Sequence, residues 1–200
     1  MNHLQLIKSL NNRYFVMRHG ESTANQKGLI VSAPEKGIDD YGLTNTGRLQ
    51  VEQSVYAKTL VSGVSKIISS DFKRARESAE IAHSLLSCKD DVTLSENLRE
   101  RFFGDFEMSS NIHYQTVWDT DAVNSGYSID NVESADAVME RTSLLVLSLE
   151  KEYSGKMFLL VSHGDALQIL QAAFLKAEAS IHRSLPHLQT AEIRELILAL

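Results

Sequence analysis

Two histidines, two arginines and one carboxylic acid stand where side chains could handle a phosphate. Arg18-His19-Gly20-Glu21-Ser22 follows the apolar run Tyr14-Phe15-Val16-Met17. Val161-Ser162-His163-Gly164 closes a second apolar run, KMFLLV at 156–161. Ser70-Asp71-Phe72-Lys73-Arg74-Ala75 follows a third run at 64–69, and Leu98-Arg99-Glu100-Arg101-Phe102-Phe103-Gly104 brings in the carboxyl group. An arginine beside a histidine can hold a phosphate and attack it. The guanidinium fork matches phosphate oxygens two at a time, and a neutral imidazole nitrogen is a nucleophile toward phosphorus. Each fragment alone is weak. An Arg-His-Gly tripeptide arises by chance in about 1% of chains this size, and a lone histidine at a strand end is ordinarily a hydrogen-bonded structural residue.

Together, and in this order, the fragments between Tyr14 and Asp165 resemble the histidine phosphatase superfamily, also called the phosphoglycerate mutase-like family, in its first branch. The resemblance implies that His19 is the nucleophile that becomes phosphohistidine. It implies that Arg18, Arg74 and His163 complete a phosphate pocket that Asn25 also touches, and that Glu100 protonates the leaving group. His163 thereby counts among both the catalytic and the phosphate-binding residues. Thr44 resembles the start of the family's next helix, where a plain N-cap is at least as good a reading as a ligand role. Two acids compete with Glu100. Glu21 adjoins the nucleophile, and Asp165 lies two residues past His163. The acid phosphatase branch uses an Asp directly after its second histidine. Gly164 stands there in this chain and the RHGxRxP opening is absent, so Glu100 ranks first and Asp165 reads as a helix N-cap.

Elementary chemistry agrees with these roles. Arg18 and Arg74 would disfavour an imidazolium at His19. Oxygens of a transferring phosphoryl group need donors already in place, and losing one such donor typically costs about 10²–10³ in rate. Glu100 can give up a proton near neutral pH only if burial or a nearby anion raises its pKa. Neither a metal nor a cofactor is expected. The seven histidines form no HExxH pattern, and the chain holds no P-loop, GxSxG elbow or GxGxxG. His182 and His187 read as surface loop residues.

The elements that must position these groups alternate. Strands are expected at Tyr14–Met17, 64–69, across Val92, Leu94 and Leu98, and at 156–161, with a final edge strand in 192–200. One helix should follow Ser70 or Asp71 as N-cap, carrying the stripe Ala75, Ala79, Ala82 and Leu86. Another spans 134–153 with Ser134 as cap and Gly155 as stop, and a mostly apolar one runs from Asp165 to Glu178. This pattern predicts an α/β three-layer sandwich, a mostly parallel sheet with helices on both faces. The chemical residues would sit at the carboxyl ends of its strands. The chain, 1–200, reads as one domain. Two long excursions interrupt it, at 20–43 and at about 101–133, the second a small acidic, aromatic-rich lid.

Composition narrows the function. A net charge of -6 over 200 residues argues against a nucleic-acid binder. No segment is long and apolar enough for a bilayer, one cysteine, Cys88, gives no disulfide framework, and the N-terminus does not read as a signal peptide. A cytoplasmic protein acting on a small phosphorylated metabolite is expected, with a phosphopeptide as the other substrate class and the oligomeric state open. The 39 residues between Arg101 and Arg141 hold eight acids and no Lys or Arg. Family mutases place basic residues in a longer insertion here, so the stretch favours a phosphatase over a mutase. Lys27, Lys36, Arg99 and Arg101 keep the mutase open, and a catalytically silent phospho-ligand-binding module is the reading from another class. Phe102, Phe103, Phe106, Tyr114, Trp118 and Tyr127 line the leaving-group pocket, form a small core beneath the lid, or make an interface patch. At Phe106-Glu107-Met108 the family commonly has a Glu-Gly pair, so Met108 is a departure.

Overall fold

The computed structural model describes residues 1–58, 61 and 63–200. Five strands form one sheet in the order β3-β2-β4-β1-β5, with β1 Arg13–Arg18, β2 Lys66–Ser69, β3 Thr93–Leu94, β4 Met157–Ser162 and β5 Ile193–Leu196. The first four run parallel, and β5 lies antiparallel along β1. Side chains alternate across the sheet as the two-residue period requires. Tyr14, Val16, Phe158 and Leu160 enter one core with α6 (Ala135–Glu152) and α7 (Gly164–Phe174). Phe15, Met17, Leu159 and Val161 enter the other with α3 (Asn45–Ala57) and α4 (Lys73–Leu86). Both faces of β1 and β4 are thus buried, which is why they read as continuous apolar runs. The expected three-layer α/β architecture is present.

Several local expectations change. Neither Ser70 nor Asp71 caps α4; the N-cap is Phe72, with no side-chain cap. Ser70 Oγ instead takes the Phe72 amide at 3.2 Å, and Asp71 is held bidentately by Arg99. The stripe Ala75, Ala79 and Ala82 does face the core. Asp165 is not the N-cap of α7, because the backbone turns into the helix one residue after His163 and leaves Asp165 inside the first turn. That helix stops at Phe174, short of Glu178. Lys176 takes a left-handed conformation (φ 55°), and the Ala177 amide closes on the Ala172 carbonyl. The third strand is only Thr93–Leu94, both exposed. Leu98 ends a short 3₁₀ turn, Glu96–Leu98, and is fully buried in the α6/α7 core. Tyr153 is the C-cap of α6, with Gly155 left-handed two residues on.

The excursions hold structure of their own. The first carries α1 (Thr23–Lys27) and α2 (Pro34–Gly37). A capping box closes the start of α1: Ser22 Oγ accepts the Asn25 amide, and Asn25 Oδ1 accepts the Ser22 amide. The second carries α5 (Tyr114–Val123). A short ladder ties the two together, with Ile30 N–H donating to Ser109 O, Met108 N–H to Ile30 O, and Asn111 N–H to Gly28 O. Beneath it Ile30, Phe103, Val117 and Val132 form a third, small core. Gly104 allows this packing. Its φ is +54°, and a Cβ there would fall 2.2 Å from the Asp130 carbonyl oxygen.

Candidate functional site

Sheet register builds the site. Arg18 pairs with Ser162 and Ser69 with Val161, so the residues that leave β1, β2 and β4 emerge side by side. The His19 amide donates to Ser162 O at 3.0 Å and the Ser70 amide to Val161 O at 2.9 Å. His19 and His163 then face each other, ring centroids 5.1 Å apart at 63°. Arg74, on the first turn of α4, reaches the same point from β2's side. Gly20 permits the close crossing of α3, since a Cβ there would meet the Gly47 carbonyl oxygen at 2.3 Å.

His19 is 2% exposed. Its Nδ1 is 2.7 Å from its neighbour's carbonyl, Gly20 O, and Arg74 Nε donates to its Nε2 at 3.1 Å. The two bonds are compatible with one tautomer only, with the proton on Nδ1 and the lone pair on Nε2. Burial, then Arg74, then Arg18 hold the ring's pKa well below 6.5. His19 is therefore neutral at ordinary pH, and its one Nε2 lone pair accepts from Arg74 Nε. His163 is likewise buried and its pKa depressed, first by burial and then by Arg74; its Nε2 meets Ser70 Oγ at 2.9 Å.

Ser70 Oγ already takes the Phe72 amide, so its O–H donates to His163 Nε2 and the His163 proton is assigned to Nδ1; Arg18 Nε, Arg74 Nη1 and His163 Nδ1 are then buried donors without a protein partner. Three of the other arginine nitrogens are engaged, Arg74 Nε by His19 as above. Arg74 Nη2 donates to Val31 O at 2.9 Å, and Arg18 Nη1 donates to Leu188 O at 2.9 Å and meets His187 Nε2 at 2.8 Å. Buried donors without partners are rare in native proteins. Two of the three belong to Arg18 and Arg74, which line one cavity with His19, and such nitrogens are available to an anion's oxygens.

Glu100 stands at the wall. Its Oε1 accepts the Arg101 amide at 2.9 Å and the Ala166 amide, at the start of α7, at 3.4 Å. Burial, then the nearby Asp165, raise its pKa, while Arg74 and Arg18 oppose them. Asp165 stays ionised despite burial, because His182, Arg101 and Arg183 hold its pKa below the usual carboxylate range. It is committed to structure, accepting Trp118 Nε1–H at 2.9 Å and Arg101 Nη1–H at 3.3 Å. Glu21 lines the cavity and accepts Thr44 Oγ1–H at 2.6 Å. Thr44 itself is the N-cap of α3 and takes the Gly47 amide at 3.0 Å.

All these groups bound or back a cavity of about 300 Å³, which Arg18, His19, Asn25, Arg74, Glu100 and Tyr114 help to line. The structure thus brings Arg18, His19, Arg74, Glu100 and His163 together, with Asn25 at the mouth. Sequence reasoning missed several supports. His187 is not a free surface residue but the partner of Arg18, and His182 is fully buried beside Asp121 and Asp165. Thr190 adjoins the cavity without any motif that marks it, Ser70, expected as an N-cap, meets His163 instead, and Tyr114 lines the cavity as one of the six rings considered for it. Among the described residues no three His, Cys, Asp or Glu side chains are grouped to hold a metal, and no helix is long and apolar enough to cross a membrane.

The aromatic residues of 102–127 divide. Phe103 is in the small core, Tyr114 lies between that core and the cavity, and Trp118 stacks on Tyr114 with Arg183 3.6 Å above its ring. Phe102 and Tyr127 are exposed. Of the six rings, Tyr114 alone lines the cavity.

A model of the histidine phosphatase superfamily, branch 1, matches residues 14–199, and the chain belongs to that superfamily. A protein of Citrobacter koseri named probable phosphoglycerate mutase GpmB is 32% identical over 180 residues, covering 86% of this chain and 78% of that one. YhfR of Bacillus stearothermophilus superposes with a TM-score of 0.76 at 25% identity, over 92% of this chain and 90% of its own. A mycobacterial glucosyl-3-phosphoglycerate phosphatase superposes with a TM-score of 0.73 at 25% identity, over 92% and 88%.

Proposed function

We propose that the chain is a metal-independent phosphomonoesterase that works through a phosphohistidine on His19. One observation carries this reading: a neutral His19 Nε2 surrounded by the unpartnered donors Arg18 Nε, Arg74 Nη1 and His163 Nδ1. A phosphoryl group seated on those donors has its phosphorus in front of the nucleophile. Arg74 Nε–H shifts from Nε2 to a phosphoryl oxygen, the freed Nε2 lone pair forms the N–P bond as the P–O bond to the alcohol breaks, and the leaving oxygen takes the proton from Glu100. The ring's growing positive charge is offset through Nδ1–H on Gly20 O. Water then attacks the phosphohistidine, Glu100 accepts its proton, and the N–P electron pair returns to Nε2. The donors act in place without reorganising, which is what phosphoryl transfer demands.

Hydrolysis rather than mutase transfer is supported by what the basic residues do. A mutase needs cations for the substrate's far acidic groups. Arg101 is 1% exposed and clamped by Asp121 at 2.5 and 2.8 Å, and Arg99 is spent on Asp71 and Glu96. The name borne by the Citrobacter relative keeps mutase transfer as the second reading. The wider reading is one domain over 1–200 with 101–133 as its lid, acting in the cytoplasm on a small phosphorylated metabolite. The test is phosphate release from p-nitrophenyl phosphate in excess EDTA. Wild type should release phosphate and His19→Ala should lose at least about 10³ in rate. Release by wild type only when a metal is restored would overturn metal independence, and phosphoglycerate interconversion faster than hydrolysis would favour the mutase.

A further inference from the structure

Glu100 sits on backbone that no regular element holds. Residues 99–103, between the 3₁₀ turns Glu96–Leu98 and Gly104–Phe106, belong to neither a helix nor a strand. Carbonyls in such a segment need partners from elsewhere, and one side chain supplies three of them. From α6, Arg141 Nη1 donates to Asn97 O at 2.8 Å and to Arg99 O at 3.0 Å, and Nη2 donates to Glu100 O at 3.3 Å. Its remaining donors grip Glu133, with Nε on Oε1 at 2.7 Å and Nη2 on Oε2 at 3.0 Å. Glu133 closes on the same segment. Its Oε2 accepts the Phe102 amide at 3.2 Å, its own amide donates to Phe102 O at 2.8 Å, and its carbonyl accepts Arg101 Nε–H at 2.6 Å. Every N–H of the Arg141 guanidinium is thus engaged, and none is left for a substrate anion. The base of this clamp is rigid, since α6 buries Val138, Met139 and Val146 in the core that also takes Leu98. Among the described residues the Glu100 carboxyl is fastened by Oε1 alone, to the Arg101 and Ala166 amides. Where its Oε2 stands is therefore set by how the backbone of 97–102 is held.

We propose that Arg141, locked by Glu133, is the positioning residue that holds Glu100 in reach of the reacting oxygens. The proposal rests on the phosphomonoesterase reading and adds to it a residue that does not line the phosphate cavity. A general acid works only within hydrogen-bond reach of the oxygen it protonates, roughly 2.6–3.2 Å, and a displacement of about 1 Å can cost about 10² in rate. Lysine cannot rebuild the clamp. Its ammonium keeps a charge opposite Glu133, but it is a single point without the planar fork, and its donors are too few for three carbonyls and both carboxylate oxygens.

Arg141→Lys tests this. For glycerol 3-phosphate, an alkyl ester whose leaving group needs a proton, kcat/KM should fall by about 10². For p-nitrophenyl phosphate it should fall only a few-fold, and inhibition by inorganic phosphate, which reads Arg18 and Arg74, should hold. The alkyl-to-aryl ratio then drops at least about tenfold, whereas a merely structural loss lowers both esters alike. In a Glu100→Gln background the same substitution should leave the ratio where Glu100→Gln alone puts it. If Arg141→Lys does not fold, Glu133→Gln, which keeps an acceptor and loses the ion pair, should lower the ratio in the same direction by less. An unchanged ratio, or a drop repeated in full in the Glu100→Gln background, would overturn the proposal. If wild type hydrolyses neither ester, the phosphomonoesterase reading fails by itself, and an NMR titration of the Glu100 carboxyl carbon decides on the clamp. Burial keeps that carboxyl's pKa raised, so a released carboxyl should titrate lower in Arg141→Lys, and an unmoved titration would overturn the proposal.

Discussion

His187 Nε2 lies 2.8 Å from Arg18 Nη1, and the far side of its ring fixes the direction of that bond. Nδ1 faces Gln168 Oε1 at 3.3 Å, an acceptor, so the proton sits on Nδ1 and Nε2 accepts from the guanidinium. With Leu188 O on the same nitrogen, Arg18 is anchored by Nη1 while its Nε stays buried and unpartnered. His187 is thus a positioning residue. His187→Ala should weaken inhibition by inorganic phosphate and lower kcat/KM by about tenfold or more, the worth of a hydrogen bond to a charged group. His187→Gln, which restores an acceptor, should recover much of both. Unchanged phosphate inhibition in His187→Ala would show that Arg18 needs no anchor.

Acid should destabilise the free protein before its carboxylates titrate. His19 and His163 are held well below 6.5, and His187 is pushed down to about 4 by burial, Arg18 and Arg183. Between these values and 6.5 the unfolded chain binds protons that the folded chain does not, so stability rises with pH through that window. Glu100, with its raised pKa, works in the opposite sense but is one group against three. The urea midpoint should fall from pH 7.5 to pH 5. A midpoint that held steady would mean that these rings are protonated in the fold.

Much of this was legible in the sequence, for identifiable reasons. Strands β1 and β4 are buried on both faces and so appear as apolar runs, and the candidate site residues follow directly where the runs end. The spacing of Ala75, Ala79 and Ala82 gave the buried face of α4. What stayed hidden is set by contacts between distant segments. Nothing local to Leu185-Pro186-His187 says that Arg18 will sit on that ring. Asp165 resembles a cap in sequence because Trp118 and Arg101, its partners, are 47 and 64 positions away. Leu98 fits a strand's alternation, yet it is drawn out of the sheet to be buried against α6 and α7.

Met108 departs from the family pattern at a position with a backbone requirement. Its φ is +60°, a conformation that costs an L-residue about 1–2 kcal/mol and glycine little. The side chain is 37% exposed, so the contacts of its buried part and glycine's extra freedom in the unfolded chain each offset part of the gain. Met108→Gly should stabilise the protein by up to about 1 kcal/mol in denaturant unfolding. A clear loss of stability would mean that the side chain contributes more than its backbone costs.

Asp165 should act on catalysis through Glu100. In the proposed mechanism Glu100 gives its proton to the leaving group and so must be protonated, and activity should fall as pH rises through its raised pKa. Burial, then Asp165, keep that pKa up against Arg74 and Arg18. Asp165→Asn removes a negative charge while keeping an acceptor for Trp118. The high-pH limb of kcat/KM for an alkyl phosphate should therefore move to lower pH, with little change for p-nitrophenyl phosphate, whose leaving group needs no acid. An unmoved limb would separate Asp165 from the acid's titration.

The central claim is a covalent bond between His19 and phosphorus, and trapping it is the most direct test. In Glu100→Gln an activated ester can still phosphorylate His19, while the water step lacks its base. Mixing this variant with p-nitrophenyl phosphate, quenching in alkali and mapping the peptides should find phosphate on His19, stable to base and lost in acid. Phosphate on a carboxylate or a serine, or a phosphoenzyme that persists in a His19→Ala, Glu100→Gln double variant, would contradict the assignment of His19 as nucleophile.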